Sequence, residues 1–231
     1  MLSKPLTMLP AFLSAVSMVG DDQEHTIRQL TYAERKSPPF YNPARDLFIR
    51  VLQGDFNVER AVAEAHRLSD DVERKCASDV LEASRSFLMR EAPAKVGQLD
   101  PMEVHLPNGM ELSVSPVWIR HLRPQPRLMI LHFWQRPLSD WQLSAAAAIL
   151  IAALKRHDPA CLSLDIDFVS VAVPDYSAGR RLRVYDWYSL KPLDDDGLSR
   201  FLHRLCAAWA AYQCREPRVI KSRHNRDLFD V

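Results

Sequence analysis

Glycine is scarce in this chain, 6 residues against 16 prolines, and its scarcity excludes several chemistries. No G-x-G-x-x-G, G-x-x-x-x-G-K-[ST] or G-x-S-x-G occurs, so no phosphate-cradling loop and no strand-to-helix nucleophile turn is encoded. Cysteine is sparse too. Cys76, Cys161, Cys206 and Cys214 show no CxxC spacing and no adjacent histidine pairs, which argues against a structural zinc set. They read as reduced, mostly buried thiols of a cytoplasmic protein. No run approaches the ~18 apolar residues of a membrane span. The net charge is only +1, so any nucleic-acid contact must rest on a local patch.

What is present is an ordinary globular composition, 47% hydrophobic and 26% charged over 231 residues, enough for one generous domain or a core with an appendage. The first 22 residues, MLSKPLTMLPAFLSAVSMVGDD, carry one lysine and an apolar run broken by Pro5 and Pro10. Ala15-Val16-Ser17 could serve as a leader-cleavage triplet, but the thin charge favours an N-terminal arm and short helix, residues 1–41. Residues 42–91 read as a helical region packing on or leading into the core. Asn42 as cap, Pro43 at the first helical position and Gly54 at the end bound one helix, about Ala44 to Gln53. A second runs from about Val58 to Leu68 and a third from about Asp70 to Met89, where Glu73, Arg74, Glu82 and Arg85 form a solvated face. APAKVGQLDP reads as a linker.

The period then becomes strand-like. MEVHLPNGMELSV is a hairpin about Pro107-Asn108-Gly109, followed by strands in VWIRHL and LMILHFW. Ser139 and Gln142 make a capping box for the apolar helix DWQLSAAAAILIAALKRH. LSLDIDFVSVAV and RRLRVYDW are further strands. A last helix, about Asp196 to Gln213, puts Leu198, Phe201, Leu202, Leu205, Trp209 and Tyr212 on one stripe. The expected fold is α/β, a central mixed sheet flanked by helices over residues 100–213, in αβββαβ order behind an N-terminal helical region. Residues 214–231 form a basic tail.

Candidate chemistry is thin. Asp165 and Asp167 share one side of a strand, and paired carboxylates of this kind can hold Mg²⁺ for phosphodiester hydrolysis. The valines that continue their face put the pair at the strand's exposed beginning. The histidines, His105, His121, His132 and His203, are scattered and read as surface or satisfied residues. Charge is more telling: Leu112 to Ser139 contains no acidic residue. It does contain Arg120, Arg123, Arg127 and Arg136 beside Trp118, Phe133 and Trp134, a pattern suited to nucleic-acid or protein-partner contact. The tail adds Arg215, Arg218, Lys221, Arg223 and Arg226. A DNA-binding helical unit between Pro43 and Met89 is disfavoured by its acidic residues, since a recognition helix needs a positive face.

From the third helix onward the order resembles the core of the PD-(D/E)XK nuclease-like superfamily, over about Asp70 to Trp187. The resemblance implies an acid on the second core strand, an acid-x-Lys on the third, and a helix with a glutamine near its start. Gln142 matches that glutamine. The acid position falls in SVSPVW, where Ser113, Ser115 and Pro116 stand. The acid-x-Lys falls in MILHFWQ, at Leu131-His132-Phe133 or His132-Phe133-Trp134. With neither acids nor lysine there, the resemblance implies a degenerate, non-catalytic relative that serves as an interaction module for a protein or nucleic acid, with no cofactor. The alternative is a metal-dependent nuclease whose displaced ligands come from Glu103, Glu111, Asp165 and Asp167 with Gln142, and whose cofactor is Mg²⁺.

Overall fold

The computed structural model describes residues 12–20, 26, 41–107, 109–121, 125–174, 179–186 and 189–214. Five helices of the described residues precede the main sheet. Helix α1 spans Phe12–Met18 and α2 spans Asn42–Gln53, with proline in its first turn. Tyr41, not Asn42, stands at the N-cap of α2 and makes no side-chain cap bond. Gly54 closes that helix at φ 83°, its N–H donating to the carbonyls of Arg50 and Val51. Helix α3, Val58–His66, starts on the Asn57 side chain, which accepts from the Arg60 N–H.

The long helix expected from Asp70 to Met89 is two: α4, Asp71–Ala83, and α5, Arg85–Glu91. Asp70 caps α4 by accepting from the N–H groups of Val72 and Glu73. The break falls at buried Ser84, and the new direction of α5 carries Phe87 and Leu88 into the cluster built around α2. The expected solvated face is a set of surface pairs, Arg85 with Glu59 and Glu82 and Arg74 with Asp71. Exposed pairs of this kind contribute about 0.2–1 kcal/mol each.

The expected linker contains a strand. Strand β1, Lys95–Gln98, is mostly exposed and pairs antiparallel with β4, Trp118–His121. Its four residues show no apolar alternation, because backbone pairing rather than burial makes it a strand. Strands β2, Met102–His105, and β3, Glu111–Val114, form a separate two-stranded sheet, so the hairpin does not join the central one. Met102, Val104, Leu112 and Val114 face inward from it. The expected turn keeps Gly109 at φ 77°, a left-handed conformation that glycine adopts without penalty, while Asn108 lies outside the described residues.

Strand β5, Pro126–His132, pairs antiparallel with β4 and parallel with β6, Asp165–Ala172. Helix α6, Asp140–His157, makes that parallel crossover, followed by a 3₁₀ turn at Pro159–Ser163. Its capping box is present as expected. Its four consecutive alanines, Ala145 to Ala148, are all buried. Strand β7, Arg181–Asp186, is antiparallel to β6, and α7 spans Asp195–Gln213 behind an Asp194 cap. The central sheet therefore runs β1-β4-β5-β6-β7, an α/β fold with a mixed sheet.

Each sheet face has its own core. One cluster joins α1, the β2–β3 hairpin, α6 and α7 to Leu128, Ile130, Ile166 and Phe168. The other joins α2 through α5 to Trp118, Met129, Leu131, Val169 and Val171. Alternation along β5 and β6 divides these residues between the two faces.

Candidate functional site

On the face covered by α5, the polar groups collect at the amino ends of the parallel strands β5 and β6. Arg120 and Arg127 are register partners across β4 and β5, and Arg127 stands opposite Asp165 on β6. Arg127 forks onto Asp167 through Nε at 3.0 Å and Nη2 at 2.8 Å, and reaches Asp165 through Nη1 at 2.9 Å. Arg120 donates to Asp167 at 2.7 Å and to Glu91, at the end of α5, at 3.0 Å. The hydrogen bonds to Asp167 push the Arg127 guanidinium above its ordinary range, so its positive charge is fixed.

This placement corrects the exposed setting expected for the aspartate pair. Asp167 is 5% exposed, and only Asp165 is half-buried. Arg120, expected at a contact surface, is 2% exposed with the Phe87 ring beside it. Trp118 is buried in the apolar cluster. Arg127 thus bridges the two carboxylates where a divalent cation would sit, and Arg120 holds Asp167 from the Glu91 side. Bidentate pairs of this type are strong and geometrically specific.

The displaced-ligand set does not assemble. Glu103 and Glu111 lie exposed on the hairpin of the second sheet, with Glu111 paired to His105 at 3.2 Å. The Gln142 side chain completes the α6 cap and donates to the carbonyls of Ser17 and Val19, so it holds the N-terminal segment. Among the described residues no group of three or more His, Cys, Asp or Glu side chains could hold a metal ion. Arg123 and the five basic tail residues lie outside the described residues. Arg136 is exposed and Trp134 half-buried, both just beyond the end of β5.

A second polar group lies at the opposite, carboxyl end of β5 and β6, on the other sheet face. His132 Nδ1 is 3.0 Å from Ser170 Oγ, and both residues are buried. The His132 ring lies against Phe168 and Trp134. Burial, aided by the charge of Arg180, pushes its pKa down to about 3, so the imidazole is neutral. His132 Nε2 is buried without a partner among the described residues. Arg180 donates from Nη1 to the carbonyls of Phe133, Trp134 and Val171 and so ties these strand ends together.

Beside Ser170 is a small recess lined by Pro137, Ala172, Pro174, Arg181, Arg183 and Tyr185. A general base works best with a pKa near the operating pH, and His132 is far below it. Among the described residues nothing contacts its second nitrogen, where an orienting acid stands in a nucleophile–base pair. Sequence reading overlooked Ser170, Arg181, Arg183 and the Glu91 end of α5. Strand alternation in RRLRVYD, which puts Arg181, Arg183 and Tyr185 on one face, was the available signal for the recess.

The chain lacks a helix, among the described residues, long and apolar enough to cross a membrane. No protein-family model, no curated protein and no solved structure matches it.

Proposed function

We propose that this chain is a non-catalytic α/β interaction module, a degenerate member of the PD-(D/E)XK nuclease-like group, acting in the cytoplasm on a protein or nucleic-acid partner. The observation that carries the reading is the pairing of Asp165 and Asp167 with Arg120 and Arg127. Counting along the central sheet from β1, the second strand is WIRH and the third PRLMILH. SVSPVW, where the resemblance first put the acid, instead runs from the end of β3 through the connection to the first residue of β4. Neither WIRH nor PRLMILH contains Asp, Glu or Lys; each contributes one arginine to the cluster. A divalent cation would have to displace two guanidinium groups from half-buried Asp165 and buried Asp167, and neither strand supplies a lysine to polarise an attacking water. Three buried, unbridged cysteines suit a reducing compartment.

The test is a nuclease assay on single- and double-stranded DNA and RNA with Mg²⁺ or Mn²⁺, using the wild-type chain and Asp165→Asn. No metal-dependent cleavage above a buffer blank is expected. Cleavage abolished by Asp165→Asn would overturn the reading and make the chain an enzyme.

A further inference from the structure

The recess at the carboxyl ends of β5 and β6 takes no part in the charge cluster, and its wall residue Tyr185 packs against one of the apolar cores. Its walls come from the carboxyl half of β6 and the antiparallel strand β7, with Pro137 and Pro174 beside them. Ser170 and Arg183 are register partners, as are Ala172 and Arg181, so two guanidinium stems and one hydroxyl rise from the same patch. Arg181 and Arg183 are exposed. Neither is ion-paired among the described residues, whereas Arg120, Arg127 and Arg85 are all engaged. The exposed Arg136 adjoins the lining residue Pro137.

We infer that this recess binds a phosphate monoester, held by Arg181 and Arg183 with the Ser170 hydroxyl as a third donor. Two guanidinium groups match the dianion of a monoester, while a diester carries one charge. Guanidinium forks also suit phosphate oxygens. The recess is small, with Pro137 and Pro174 on its wall, so the phosphoryl group sits at its mouth, against the exposed Arg181 and Arg183. Ser170 must donate to the anion, which requires that His132 carry a proton on Nδ1. With the proton on Nδ1, His132 donates to Ser170 Oγ and leaves the serine proton for the ligand. Nε2 is then the bare nitrogen, which fits its buried position without a partner. The recess lies at the opposite end of the sheet from the arginine–aspartate cluster, so this inference goes beyond the module reading and stands apart from the metal question.

The experiment is calorimetric titration of the full chain with inorganic phosphate, glycerol phosphate, a phosphoserine peptide and dimethyl phosphate. Wild type should bind the first two saturably and at one site, and dimethyl phosphate at least about tenfold more weakly. Tighter binding of the phosphopeptide than of glycerol phosphate would identify a phosphorylated protein as the source, and the reverse a small metabolite. Arg183→Gln and Arg181→Gln should each weaken phosphate binding about tenfold to hundredfold. Arg200→Gln, an exposed arginine on α7 with the same charge change, should leave it unchanged. Absence of saturable phosphate binding, or equal losses in Arg183→Gln and Arg200→Gln, would overturn the inference. Phosphate binding in a chain that also cleaves DNA would refute the non-catalytic reading and leave this site standing.

Discussion

Arg120 shows how one side chain can decide the character of a site. It lies within the sheet's inner face, donates to both Glu91 and Asp167, and still leaves its Nε buried without a partner. The cluster is therefore costly to assemble and more costly to break. Removing one member strands a buried charge, a loss of about 3–5 kcal/mol. Arg120→Met and Asp167→Asn should each destabilise the fold on that scale in urea denaturation. Losses below about 1 kcal/mol would mean that the pairs are loose and exchangeable. His132 makes a separate prediction at the same scale. Its folded pKa lies below its unfolded value, so the unfolded chain binds the extra proton. Stability is fully present above about pH 6.5 and falls as the pH drops toward about 3. Within that window each pH unit costs about 1.4 kcal/mol. Thermal melts of His132→Leu should show a shallower loss than wild type between pH 6 and pH 4; parallel curves would contradict this account of the buried imidazole.

Among the elements, α6 connects the two layers of argument. Its capping glutamine matched the resemblance, yet the same amide reaches 125 residues back to the Ser17 carbonyl. Gln142→Ala should cost about 1–2 kcal/mol from the lost cap and lost bonds. It should also speed proteolytic nicking near α1 while the core stays resistant; unchanged nicking would remove the anchoring role. Gly54 tests the turn between α2 and α3. A Cβ there would meet Pro93 Cβ at 2.9 Å, at a φ of 83°, so Gly54→Ala combines backbone strain with a clash. A loss above about 1 kcal/mol is expected by chemical denaturation. The long periodic elements were legible before any coordinates, because α6, α7, β5 and β6 carry continuous apolar patterns. Strand β1 was not, since its pairing with β4 leaves no trace in side-chain alternation. Nor was the break at Ser84, where a local propensity for helix gives way to packing on the sheet.

For the whole molecule, the layers of helix, sheet and helix followed from element order, but the site did not. Arg120 and Asp167 are 47 residues apart, and only the register of three strands makes them partners. Sequence spacing showed two carboxylates on one face and a run of arginines elsewhere; it could not show that the second set neutralises the first. The resulting division is by strand end. The amino ends of the parallel pair carry a closed ion-pair cluster, and the carboxyl ends carry cationic groups without acidic partners among the described residues. The measurement that tests this account most directly is a calorimetric titration of Mn²⁺ into the wild-type chain at neutral pH. The paired arginines predict no saturable heat. A stoichiometric binding isotherm lost in Asp167→Asn would show that the carboxylates are free to hold metal, and would contradict the account.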